Sequence, residues 1–244
     1  MNITGNTDKG RVRNSNQVAF AFGSFDDGTM WAVVCDGMGG ANGGNVASRM
    51  AVDNLSASLK SGYRLNMSEN SYKNLLQSAV NAANIRVFDK SKEDEGLKGM
   101  GTTVVAVMVS HSVAYIAHAG DSRAYLFADG KLNQLTRDHS VVQSMVEDGK
   151  ITKEEARVHP RKNVITRALG VDDTIDVEFT VVDLPQKYSL LLCTDGLTNY
   201  ITLSELVDIL DGEDRAEVAT NLIEAANNNG GGDNITAVVI DNII

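Results

Sequence analysis

Residues 31–40 read WAVVCDGMGG: an apolar run able to sit in a buried strand, then an aspartate, then three glycines around a methionine. Residues 190–197, LLLCTDGL, repeat the arrangement from apolar run to Asp-Gly. A carboxylate at the mouth of a buried strand is costly unless something cationic waits there. Two such strand ends in one chain ask what that cation is.

Three further aspartates stand where an apolar run meets a turn of glycine or small residues: Asp8 in TDKG, Asp121 in HAGDSR and Asp233 in GGGDNIT. Taken singly, each of the five reads as a turn residue, since aspartate commonly accepts backbone hydrogen bonds there. Taken together, the turns carry more glycine than a β-turn requires, notably Gly37, Gly39 and Gly40, and Gly230, Gly231 and Gly232. Glycine removes side-chain bulk and lets a backbone carbonyl approach a ligand. Carboxylates and carbonyls without clustered histidine or cysteine make an oxygen-only site, which suits Mg²⁺ or Mn²⁺ and disfavours zinc.

Around these junctions, two-residue alternation and short apolar runs predict strands near 17–25, 29–36, 102–110, 113–119, 122–128, 131–136, 177–182, 188–194 and 234–241. Most connections are too short for parallel crossovers, and Ala128-Asp129-Gly130 carries an Asp-Gly hairpin signal, so antiparallel sheet is expected. Helical spacing appears at 43–60, through Val46, Met50, Leu55 and Leu59, and at 71–90, through Leu75, Leu76, Ala79, Ala83 and Val87. Capping boxes at Thr152/Glu155 and Thr202/Glu205 predict helices near 153–158 and 203–210, and residues 214–228 suggest another. Strands, two helices, many strands, more helices and a last strand point to an α+β fold. No linker-like stretch interrupts the 244 residues, so one domain is expected over 1–244.

Apolar residues make up 43%, enough for a sizeable core. The formal charge of −10 is the wrong sign for a partner of nucleic acid or anionic lipid. No run approaches a membrane span and the N-terminus lacks the pattern of a secretion signal, so a cytoplasmic protein is expected, without membrane insertion. Cys35 and Cys193 lie inside apolar runs without Cys-x-x-Cys spacing and read as small buried hydrophobes.

DGMGG at 36–40, MGTT at 100–103, GDSRAYL at 120–126, TRDHS at 136–140, TDGL at 194–197 and GGDNIT at 231–236 resemble, in this order, the motifs of the metal-dependent protein phosphatase 2C family, bacterial Ser/Thr branch. The resemblance runs from Thr7 to about Asp241. It implies a four-layer sandwich of two antiparallel sheets flanked by helices, with a flap near 144–168. It also implies hydrolysis of phosphoserine and phosphothreonine by a hydroxide bridging two divalent ions, Mg or Mn, with a third ion in some members. By resemblance Asp36 is the bridging carboxylate, the Gly37 carbonyl completes the first ion's protein ligands, and Asp195 and Asp233 hold the second. Asp121 joins Asp195 at the third ion, and Arg13 binds the substrate phosphate. The implied partners are phosphorylated proteins of a Ser/Thr kinase, and the protein is expected to be a monomer.

Two positions depart from the family pattern. Val18 stands where an aspartate supports the first ion, and valine neither accepts a hydrogen bond nor binds a metal. Met38 occupies a slot that holds histidine, a candidate general acid, in some members. The leaving group would then take its proton from a metal-bound water or another side chain, for which His139 and His159 are candidates, against a structural role for each. Six basic residues, Lys150, Lys153, Arg157, Arg161, Lys162 and Arg167, fall within the expected flap. They read either as a solvated helix face partnered by Glu147, Glu154 and Glu155, or as a surface that greets phosphoprotein. The rival functions are a weakened or inactive phosphoprotein-binding relative, for which Val18 speaks, and a two-metal phosphodiesterase or nuclease.

Overall fold

Alternation along residues 30–36 shares their side chains between two cores, and that division sorts the molecule into layers. The computed structural model describes residues 1–212 and 214–242, without the side chains of residues 41 and 42. In chain order the first elements are β1 (Asn2–Asp8), β2 (Val18–Ser24), β3 (Met30–Met38), α1 (Gly40–Gly62), α2 (Glu69–Glu93), β4 (Gly101–Thr102), β5 (Val104–Ser110) and β6 (Val113–Ala119). They are followed by β7 (Arg123–Ala128), β8 (Lys131–Gln134), α3 (Val141–Glu147), α4 (Lys153–Val158), β9 (Glu178–Asp183) and β10 (Tyr188–Cys193). The last are α5 (Asp195–Thr198), α6 (Leu203–Asp211), α7 (Val218–Asn228) and β11 (Ile235–Asn242).

One sheet has the order β1-β11-β10-β7-β8, the other β2-β3-β5-β6-β9 with β4 added beside β3, and the ladders are antiparallel. Ala32 and Val34 of β3 face the other sheet, where they join Val105, Val107, Leu190, Leu192, Val238 and Ile240 in the inter-sheet core. Trp31, Val33 and Cys35 point the other way, onto the faces of α1 and α2 that carry Leu55, Leu59, Leu76 and Val80. Leu191 and Cys193 of β10 likewise turn from the inter-sheet core toward α5, α6 and α7. Strands buried on both faces read as continuous apolar runs. Each fully buried leucine such as Leu190 contributes about 1.5–3 kcal/mol. The result is the expected α+β sandwich of four layers: helices, sheet, sheet, helices.

Local chemistry explains several boundaries. Asp129 and Gly130 both take positive φ (50° and 69°), as the tight β7–β8 hairpin requires. Both capping boxes form, at Thr152 and Thr202. The helix expected from 214 begins at Val218 instead. On α1 the buried stripe runs through Ala47, Ala51, Leu55 and Leu59, with Val46 and Met50 on its flank. The sequence reading did not foresee β1, α3 or α5.

The expected flap is built as α3 and α4 joined by turns. Its base closes where Ser140 bridges Ile165 and where Thr166 N–H donates to the His139 carbonyl at 2.8 Å. No helix is long and apolar enough to cross a membrane among the described residues.

Candidate metal centre

β3 and β10 belong to different sheets, yet both end beside one cavity of about 400 Å³ at one end of the sandwich. Asp36, Asp121, Asp195 and Asp233 all line it, with Gly37 and Arg13. Asp36 lies near the end of β3, Asp121 sits in the turn between β6 and β7, Asp195 opens α5 after β10, and Asp233 precedes β11. Asp8 is not among the lining residues; its Oδ1 accepts from Gly10 N–H at 2.8 Å and from Asn227 Nδ2 at 3.2 Å, an ordinary turn role.

Each acid is held from behind. The Asp36 N–H donates to Thr103 Oγ1 at 3.0 Å, and the Asp36 carbonyl accepts from Thr102 Oγ1 and Thr103 N–H, both at 2.9 Å. Thr103 Oγ1 also meets Ser122 Oγ at 2.6 Å, which ties the Asp36 strand to the turn carrying Asp121. Asn199 Nδ2 donates to Asp195 at 3.0 Å. The buried Asn234 takes Gln17 N–H on its oxygen and donates to the Lys9 and Ser15 carbonyls, each at 2.9 Å, so it staples the loop that presents Arg13. Arg13 then reaches Asp233 at 2.8 Å with its side chain still 52% exposed.

Gly37 shows why this turn tolerates no side chain. A Cβ there would lie 1.9 Å from the Gly44 carbonyl oxygen, because the first turns of α1 are seated directly on it. Gly39 and Gly40, at the start of α1, line the same cavity.

Burial pushes the Asp36 carboxyl well above the usual carboxylate range, Asp195, Asp121 and Asp233 add to the push, and Arg13 opposes it. Burial and Asp195 push Asp121 up to about 8, and burial with Asp233 raises Asp195. Acids crowded this way ionise together only if a cation joins them. The donors are oxygens alone, so the residues present fit hard divalent ions.

Sequence reasoning did not pick out Gln17, Asn163, Ile165 or Asn234 as lining residues. His139 and His159 do not line the cavity. His159 Nδ1 accepts Arg161 N–H at 3.1 Å. His139 is buried; its Nδ1 accepts Gly120 N–H at 3.1 Å and its Nε2 faces Glu178 at 2.9 Å. With His118, these residues make a group whose ligand atoms lie within 4.8 Å of one another. It is a poor metal site: Nδ1 already accepts a backbone proton, Nε2 carries its own toward Glu178, and the Arg167 guanidinium sits 3.2 Å from the ring. Burial holds both rings below the ordinary histidine value, His118 at about 3.

In the flap, Glu147 pairs with Arg137 and Glu155 caps Thr152, so neither partners the basic stretch as the solvated-face reading expected. Asn163 and Ile165 of this segment line the cavity.

A family model described as Protein phosphatase 2C matches residues 9–232. The Serine/threonine phosphatase stp of Listeria monocytogenes is 40% identical over 236 residues, covering 96% of this chain and 93% of the relative. Among solved structures, the S. agalactiae serine/threonine phosphatase superposes with a TM-score of 0.91 at 31% identity, over 98% of both chains. The catalytic domain of the serine threonine protein phosphatase PstP, solved in complex with 2 manganese ions, gives 0.86 at 32% over 98% of this chain and 97% of its own. With the six motifs in order and acids from both sheets meeting at one end of the sandwich, these likenesses make the chain a member of the protein phosphatase 2C family.

Proposed function

We propose that the protein removes phosphate from phosphoserine and phosphothreonine in proteins, with residues 1–244 acting as one catalytic domain. The observation that carries this reading is the convergence of Asp36, Asp121, Asp195 and Asp233 from both sheets on one cavity, with Arg13 at its rim. Asp36 and the Gly37 carbonyl would hold one divalent ion, Asp36 with Asp195 and Asp233 a second, and Asp121 with Asp195 a third. When bound, Mg²⁺ or Mn²⁺ supplies an activated water and neutralises charge on the phosphoryl oxygens.

The chain's own groups do the rest. The Arg13 guanidinium, oriented by Asp233, offers a planar fork to phosphate oxygens. Thr102, Thr103 and Ser122 fix the backbone that carries the acids, so little rearrangement accompanies reaction. Met38 donates no proton, and no histidine lines the cavity among the described residues. The partner kinase is of the Ser/Thr class, and the phosphatase works as a monomer.

Phosphate release from a phosphothreonine peptide tests the reading. Activity should require Mn²⁺ or Mg²⁺, vanish in EDTA and fall by at least about a hundredfold in Asp36→Asn. Cleavage of a phosphodiester in preference to the monoester would instead favour a phosphodiesterase.

A further inference from the structure

A second cavity, of about 310 Å³, adjoins the first and shares Met38 and Ile165 with it. Met38, Ile165, Val171 and Ile175 give it apolar walls, and Arg167, Asp172 and Asp176 stand around it. Met38 is the partition. A Cβ on Gly101 would lie 2.9 Å from Met38 Cε and 3.2 Å from Val171 Cγ2, so the thioether tip and the valine meet over that glycine. A flexible, polarisable side chain at this point forms a wall that adapts to a neighbour.

The loop that frames the far side is fixed. Asn84 of α2, 1% exposed, accepts Gly170 N–H at 2.8 Å and donates to the Asp172 carbonyl at 3.0 Å. Arg167 is already engaged with Asp176 at 2.9 Å and lies against His139. Asp172 is exposed and has no ion-pair partner among the described residues, so the cavity combines an apolar lining with one solvated, unpaired carboxylate at its edge.

We propose that this cavity is a specificity subsite for the side chain of a lysine or arginine close in sequence to the phosphorylated residue, since the cavity adjoins the one lined by the acids and shares Met38 and Ile165 with it. The proposal rests on the phosphatase reading above and names its substrate class. The aliphatic stem of such a residue lies along Met38, Ile165, Val171 and Ile175 while its charged head meets Asp172. A purely apolar side chain would leave Asp172 unanswered. An acidic one would face that carboxylate on a chain of formal charge −10.

The test is kcat/KM on phosphothreonine peptides carrying one lysine, norleucine or glutamate at each of the three positions on either side, with an aryl phosphate as reference. Lysine at one position should exceed norleucine about two- to fivefold, and glutamate should fall below both. Asp172→Asn should abolish the lysine advantage and Asp172→Lys should transfer it to glutamate, both leaving the aryl phosphate rate unchanged. Equal rates across the panel, a preference for norleucine, or a lysine preference that survives Asp172→Asn overturns the subsite. Loss of release from every peptide and from the aryl phosphate, with Mn²⁺ present, overturns the phosphatase reading and the subsite with it.

Discussion

Val18 stands directly opposite Asp36 in the β2–β3 ladder, and its side chain belongs to the inter-sheet core. Cross-strand partners present their side chains on the same face, so the position reaches the Asp36 carboxyl region. Valine fills it with bulk where the resemblance to the family implies an acid. Val18→Asp should lower the Mn²⁺ concentration needed for half-maximal activity by about tenfold, while lowering the melting temperature in EDTA by adding one more acid to a crowded group. An unchanged metal titration would show the position to be idle.

Crowded acids also set a pH dependence for the metal-free protein. The folded pKa of Asp121, about 8, lies above its ordinary value of 3.8, and Asp36 and Asp195 are displaced the same way. As pH rises the unfolded chain releases these protons first, so the folded state binds more protons and loses stability through that window. Melting temperature in EDTA should therefore fall as pH rises from about 4 to about 8, and saturating Mn²⁺ should flatten the trend. A level profile in EDTA contradicts the burial of ionisable acids described above.

Thr103 joins the Asp36 backbone to Ser122, the neighbour of Asp121, through one hydroxyl. Thr103→Val leaves the Asp36 N–H and the Ser122 hydroxyl without that partner, a cost of about 1–3 kcal/mol. Urea denaturation should register that loss and kcat should drop. Thr103→Ser, which keeps the oxygen, should restore most of both, and equal damage from the two substitutions would point to lost methyl packing instead.

Arg161 and Lys162 are exposed in the flap, outside the cavity lining. Reversing both charges should slow turnover of a phosphoprotein while barely changing that of a small aryl phosphate. Parallel losses on the two substrates would rule out docking by these residues.

Much of this was legible in the sequence because burial on two faces writes long apolar runs, and the site acids sit at their ends. Strand β1 was not, since NITGNTD has almost no apolar alternation and owes its conformation to pairing with β11. Helix α3 carried a faint signal, Ser140 followed three residues later by Gln143, but spans only Val141–Glu147. Of the five junction aspartates, composition did not separate Asp8 from the four that converge. The supports Ser122 and Asn234 were hidden for another reason: hydroxyl and amide side chains serve every kind of turn, and only tertiary contact reveals which are buried. The apolar role of Met38 beside Val171 likewise needed the fold.

Cys35 on β3 and Cys193 on β10 are sealed, with no exposed surface, and burial pushes both thiols up, Cys193 to about 12. Neither forms thiolate in the native state at neutral pH, so oxidants and alkylating reagents pass them by. Each lies within two residues of a site aspartate and on a different sheet. Their labelling rates thus serve as paired clocks for opening on the two sides of the acid cluster, and a divalent cation that clasps both sides should slow them together.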